Sequence, residues 1–156
     1  MAIRIKYCVP VYPVYPPYIP RIRGVKITAD TNVLVRAAVR DDEDQARAAA
    51  AAFEEAEVVA VPLACLCEFV WVLRRVYSFG RDDITASIEA LLDAGNVAVD
   101  RPAVDAGLAI LRAGGDFADG VIAHTGNWLG GDSFVSFDQR AVSLIAGRGL
   151  EARLLA

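Results

Sequence analysis

The 156-residue sequence predicts one α/β domain, a three-layer α/β/α arrangement around a central, mainly parallel sheet. Three observations carry this. From Val25 onward, short β-prone runs alternate with segments whose apolar residues recur at helical spacing. Hydrophobic residues make up 55% of the chain and charged residues 23%, a composition that buries a core and excludes a disordered chain. No internal repeat or interdomain linker divides residues 25–156. Strands separated by helices pair in parallel, with the helices on both faces of the sheet.

The elements follow in order. Val25–Ala29 is a β-prone run that ends at Asp30, and residues 31–39 place Val33, Leu34, Ala37 and Ala38 at helical spacing. Asp41 or Asp42 caps an Ala-rich helix to about Ala56, and Val58–Val61 is the next strand. Pro62 suits the first turn of a helix to about Tyr77, broken by Ser78-Phe79-Gly80. Asp82 or Asp83 starts a helix to Ala94, ended by Gly95, and Val97–Val99 is a strand. Pro102 opens a helix to about Ala113, Gly114-Gly115 is a break, and Asp116 caps a helix to about Leu129. Ser133–Phe137 is a strand, Gln139–Ala146 a helix, and Ala152–Leu155 a last short strand.

The first 24 residues differ in kind. They hold five of the seven Pro, four of the five Tyr and four basic residues, with no acid. Five prolines forbid a helix and favour an extended arm, and the segment lacks the apolar run of a signal peptide. Three readings stand: an arm that packs on the domain or a partner, a disordered tail, or a segment outside the native protein, with translation starting at a GTG codon for Val25. The mass of the natural protein tests the last reading: a mass that includes residues 1–24 rules it out.

Charge and cysteine use exclude several classes. The chain carries −4 overall, and residues 25–156 carry −8, so no global basic field recruits nucleic acid. Aromatics at 8% argue against stacking platforms for single strands. Three Cys are too few for a disulfide framework. Glu68 and Arg74 interrupt the best candidate for a membrane span. There is no GxGxxG after the first strand and no P-loop. Lysine supplies two of the sixteen basic residues, which suggests a GC-rich bacterial genome.

The informative residues are acids. Functional groups gather at the carboxyl ends of parallel strands, and two strand candidates end in an acid, Asp30 and Asp138. Each also has the ordinary role of an N-cap. Glu68 is the only charge from Val58 to Leu73, so the sequence places it at the buried edge of a helix, either paired with Arg74 or Arg75 or serving as a metal ligand. Asp116 and Asp119 are three apart and share one side of a first helical turn. Together the acids make a carboxylate constellation, which repels itself unless a cation sits within it. An all-oxygen donor set selects Mg²⁺ or Mn²⁺. Such a site suits metal-assisted phosphodiester hydrolysis, in which the metal lowers the pKa of a bound water and a second metal stabilises the leaving oxygen.

The segments ITADTNVLVRA, LACLCEFVWVL, DFADGVIAH and FVSFDQRA resemble, in order and spacing, the motifs of the PIN-domain family, and within it the VapC-type toxins of bacterial toxin–antitoxin pairs. The match spans about residues 25–155. It implies Asp30, Glu68, Asp119 and Asp138 as an acidic quartet around Mg²⁺, with Asp116 as a fifth acid. It further implies supporting roles for Asn32, beside the first acid, and Ser136, two residues before the last. Gly120 and Ser136 stand where the family more often has Ala and Thr. The resemblance implies a cytoplasmic ribonuclease, a homodimer, and a small antitoxin that inserts a basic or aromatic tail into the acidic pocket. The alternatives are a catalytically inactive PIN scaffold acting as a binding or repressor module, and a receiver-like domain with a phosphorylated Asp, which leaves Glu68 unexplained.

Other residues carry two readings each. Arg36, Arg40 and Arg140, and likewise Arg74 and Arg75, either contact RNA phosphates or belong to an ordinary solvated face. His124 lies about 140° round the helix from Asp119 and stays outside the metal cluster. Cys65 and Cys67 read as small core residues, and Trp71 and Val72 as helix packing or dimer surface.

Overall fold

The computed structural model describes residues 24–156; the reading of the N-terminal arm lies outside them. The order is β1 (Val25–Thr28), α1 (Thr31–Val39), α2 (Glu43–Glu55), β2 (Ala56–Ala60), α3 (Leu63–Arg75), α4 (Arg81–Asp93), β3 (Val97–Ala98), α5 (Arg101–Arg112), α6 (Phe117–Trp128), β4 (Phe134–Ser136), α7 (Gln139–Ala146) and β5 (Ala152–Leu154). Every strand pairing is parallel, as the alternation of elements requires.

The expected single sheet is divided. β1, β2 and β3 form one sheet in that order, and β4 and β5 form a separate pair. The reason is visible in the packing. The main core packs against the first sheet and includes Val59, Leu66, Phe69, Leu73, Ile88 and Phe117. The β4–β5 pair rests on its own smaller cluster of Ile110, Ala123 and Ile145, with Phe134, Leu144 and Ala152 against it. Strands of three residues then hold together through this local packing rather than through a continuous ladder.

Element ends follow side-chain chemistry, with small departures from the sequence reading. Asp42, not Asp41, caps α2 through a bond from the Gln45 amide at 3.0 Å. Asp100 caps α5 ahead of Pro102. α4 starts earlier than expected: Gly80 is its cap and supplies no side chain, so Asp82 and Asp83 fall inside the first turn, where they favour the helix dipole. α3 ends at Arg75, short of Tyr77. Arg40 closes α1 in the left-handed region at φ 58°, its amide donating to the Arg36 carbonyl.

The packing of α5 on α6 fixes the start of α6, which carries two of the acids. Phe117 is fully buried, and its ring lies where a Cβ on Gly107 would stand, at 2.6 Å. A Cβ on Gly120 would stand 2.4 Å from the Ala106 carbonyl oxygen. The two helices approach so closely that only glycine fits at both positions. This accounts for glycine at position 120.

Candidate active site

The first acid is delivered by the sheet. The β1–β2 ladder continues one step past the strand, with the Ala29 amide donating to the Ala60 carbonyl at 3.0 Å. Asp30 follows and caps α1, its Oδ1 accepting from the Val33 amide at 3.0 Å. The next residue, Thr31, is buried, and its Oγ1 donates to Glu68 Oε2 at 2.6 Å. Cys65 Sγ donates to the Ala29 carbonyl at 3.5 Å. These contacts fasten the end of β1 to the middle of α3.

Glu68 differs from its expected setting. It is exposed, not lodged at a buried edge. α3 buries Leu66, Phe69, Val70 and Leu73 and turns the stripe Ala64, Glu68, Trp71 and Arg75 outward. The apolar run around Glu68 in the sequence joins a strand to a helix, and the helix keeps one open face. Among the described residues Glu68 pairs with neither Arg74 nor Arg75; its partner is Thr31.

Three further acids come from the second half of the chain. Asp116 caps α6, with Oδ1 accepting from the Ala118 amide at 3.0 Å. Asp119 sits one turn in and is half-buried. Asp138 caps α7, its Oδ1 accepting from the amides of Arg140 at 2.8 Å and Ala141 at 3.1 Å. Ser136 Oγ accepts from the Asp138 amide at 3.0 Å, so it steadies the backbone of the last acid. Burial raises the Asp119 carboxyl above its ordinary range, and the charges of Asp116 and Asp138 raise it further. That coupling puts Asp116 and Asp138 within electrostatic reach of Asp119.

The two groups are neighbours. Cys67, one residue before Glu68, has its thiol pushed up by burial and then by the Asp116 charge, so this turn of α3 lies near the start of α6. The cap role and the ligand role are compatible. Asp30, Asp116 and Asp138 each use Oδ1 on backbone amides, which fixes the carboxylate and leaves Oδ2 without a hydrogen bond among the described residues.

The donor chemistry fits a hard divalent cation: all oxygen, several carboxylates, and repulsion recorded at Asp119. None of the five acids forms an ion pair among the described residues, where the pairs are Arg36–Asp41, Arg47–Asp44 and Arg112–Glu89. The acids are gathered but not closed: among the described residues no three His, Cys, Asp or Glu side chains converge tightly enough to hold a metal ion.

The remaining candidates fall outside this cluster or beside it. Arg36 is bound within the protein, to Asp41 and to Gln45 Oε1 at 2.8 Å, with the Tyr77 hydroxyl at 3.5 Å. Arg40 is exposed at the end of α1, and Asn32 is exposed in its first turn. Arg140, in the first turn of α7, reaches toward Gly114. His124 is half-buried on α6. Thr31 was not singled out from the sequence; a buried hydroxyl directly after the strand-end acid was the available signal.

The profile of the family described as PIN domain matches residues 27–146, which contain all five acids. The chain belongs to the PIN domain family. PIN domains are typically nucleases and generally depend on divalent metal ions. No curated protein sequence matches this chain at a significant level. The PIN match covers both acid groups, so the strand-end Asp30 and the α6 and α7 acids belong to one family unit.

Proposed function

We propose that this PIN domain is a Mg²⁺-dependent endoribonuclease of VapC type, the toxin of a toxin–antitoxin pair, hydrolysing RNA phosphodiester bonds in the cytoplasm. The observation that carries this is the setting of Asp119: it is half-buried on α6, its carboxyl is raised by burial and then by the charges of Asp116 and Asp138, and no cationic side chain is in ion-pair reach among the described residues. Carboxylates grouped in this way are stabilised by a bound cation.

Asp30, Glu68, Asp119 and Asp138 would hold the metal, with Asp116 beside them. A bound divalent cation supplies positive charge to the phosphodiester and makes an attacking water more acidic. The chain's own part is orientation. Backbone amides fix Asp30, Asp116 and Asp138, and Thr31 fixes Glu68. Ser136 holds the Asp138 amide. A carboxylate of this set accepts the proton released by the attacking water, directly or through a second water.

Partners follow from surfaces. A groove of about 490 Å³ lined by Leu34, Ala37, Ala38, Phe53 and Ala90 supports docking of an apolar antitoxin segment. An antitoxin Arg inserted among the acids would neutralise them in place of metal. The exposed Trp71 and Ile122 support a homodimer face. No helix of the described residues is long and apolar enough to cross a membrane.

A second reading, a PIN scaffold that docks without cleaving, is favoured by one observation: no three acids converge at metal-holding distance among the described residues. Expression of the chain in a bacterial host, with the ends of cellular RNA mapped, separates the two. The nuclease reading expects new RNA ends and growth arrest, both lost in Asp30→Asn and Asp119→Asn. It is overturned if both variants cleave and inhibit like the wild type.

A further inference from the structure

Beside the acids lies a second feature of opposite sign. A cleft of about 240 Å³ is lined by Arg74, Phe79, Gly80, Arg81, Gly114 and Gly115, and so ends at the residue before Asp116. Gly114 has φ 92°, and the point where its Cβ would stand is 2.6 Å from Arg140 Nη2 and 3.0 Å from Arg81 Nη2. Two guanidinium groups thus converge on one glycine, with a third, Arg74, in the wall of the same cleft.

These cations are not spent inside the protein. Among the described residues none of the three forms an ion pair, whereas Arg36, Arg47 and Arg112 each do. The one internal bond is long: Arg81 Nη1 donates to the Arg112 carbonyl at 3.4 Å. Asp83 brings a carboxylate oxygen near Gly80 but does not pair with Arg81. Like charges held together in this way call for an anion, and the planar guanidinium fork matches phosphate oxygens. Gly80 adds the uncapped start of α4 to the same wall.

We propose that the Arg74–Arg81–Arg140 cleft binds a backbone phosphate of the RNA strand next to the bond being cut. The position follows from the chain itself. Gly114-Gly115 lines the cleft and leads straight into Asp116, while Arg140 is two residues beyond Asp138. A strand whose scissile phosphate lies over the acids therefore has a neighbouring phosphate within reach of the cleft. The site supplies the local positive charge that an acidic domain otherwise lacks for binding RNA. The inference rests on the nuclease reading, since it takes the ligand to be the substrate backbone.

The test uses the full chain and a short fluorescent oligoribonucleotide that the wild type cleaves. Binding is measured without divalent metal over a range of NaCl, and cleavage is measured with Mg²⁺. The Arg74→Ala/Arg81→Ala double variant should bind about tenfold more weakly and lower the salt slope by about 0.7 for the lost phosphate contact. KM should rise by a similar factor, with kcat within about twofold. Arg81→Lys keeps a charge and a long stem, and should recover part of the binding; Arg47→Ala, remote and paired with Asp44, should change nothing. Unchanged KM and salt slope in a folded double variant that cleaves RNA would overturn the cleft and leave the nuclease reading intact. Failure of the wild type both to bind and to cleave any RNA would overturn both.

Discussion

Thr31 donates from a buried hydroxyl to the exposed carboxylate of Glu68 at 2.6 Å, bridging the start of α1 and the middle of α3. This one bond joins the residue after the strand-end acid Asp30 to an acid carried by a helix 37 positions later. Glu68 otherwise stands on an open helix face, where its rotamers are free.

Thr31→Val tests the bridge. The variant keeps the shape and loses the donor, so the fold should persist with a stability loss of about 1 kcal/mol. Apparent Mg²⁺ affinity should fall about 10- to 100-fold, as when an orienting hydrogen bond to a ligand is removed. Metal titration of RNA cleavage checks this; an unaltered half-saturation point would show that Glu68 needs no orientation from Thr31.

Asp119 makes a prediction about stability. Its folded carboxyl is raised by burial and by Asp116 and Asp138. The group's stabilising contribution is therefore full below its unfolded pKa and lost as pH rises through the higher folded value. At neutral pH the ionised group opposes folding of the metal-free protein. Asp119→Asn should raise the metal-free Tm at neutral pH, and the advantage should shrink as the medium is acidified through the Asp119 range. Divalent metal should stabilise the wild type more than the variant. Thermal melts at several pH values, with and without Mg²⁺, read all three.

Asp41 makes the opposite prediction. Its hydrogen bonds from Arg36 and then Tyr77 hold its carboxyl below the ordinary range. That stability is present above the unfolded pKa and lost as pH falls through the folded one. Asp41→Asn should flatten the acid side of the urea-midpoint profile without changing RNA cleavage. A loss of cleavage would place this α1–α2 corner in the substrate path.

Gly120→Ala probes the α5–α6 contact. The new methyl would meet the Ala106 carbonyl oxygen, a backbone atom that cannot rotate away. Overpacking of this kind costs about 1–3 kcal/mol. Chemical denaturation should show it, and cleavage should fall because α6 carries Asp116 and Asp119. A neutral effect would mean that the two helices separate easily.

Much of this organisation was legible in the sequence because it is local. Caps at Asp30, Asp116 and Asp138 depend on the next three residues, and the alternation of strands and helices depends on short windows. The setting of Glu68 was not legible, since an apolar run in one dimension hides the open stripe of a helix. The division of the sheet depends on which residues pack under β4 and β5, including Ile110 and Ala123 from distant helices. The Arg74–Arg81–Arg140 cleft joins three helices across the Gly114 turn, a contact that sequence spacing does not reveal. The Thr31 bridge was missed for the same reason.

The central claim is that the five acids form one metal-dependent centre for cutting RNA. The Mg²⁺ dependence of cleavage of a defined RNA, followed in parallel for the wild type and Asp119→Asn, tests it most directly. The wild type should show no cleavage in EDTA and saturable cleavage with Mg²⁺, while Asp119→Asn should lose at least about 100-fold across the whole titration. Equal cleavage by the two proteins, or cleavage that persists in EDTA, would contradict it.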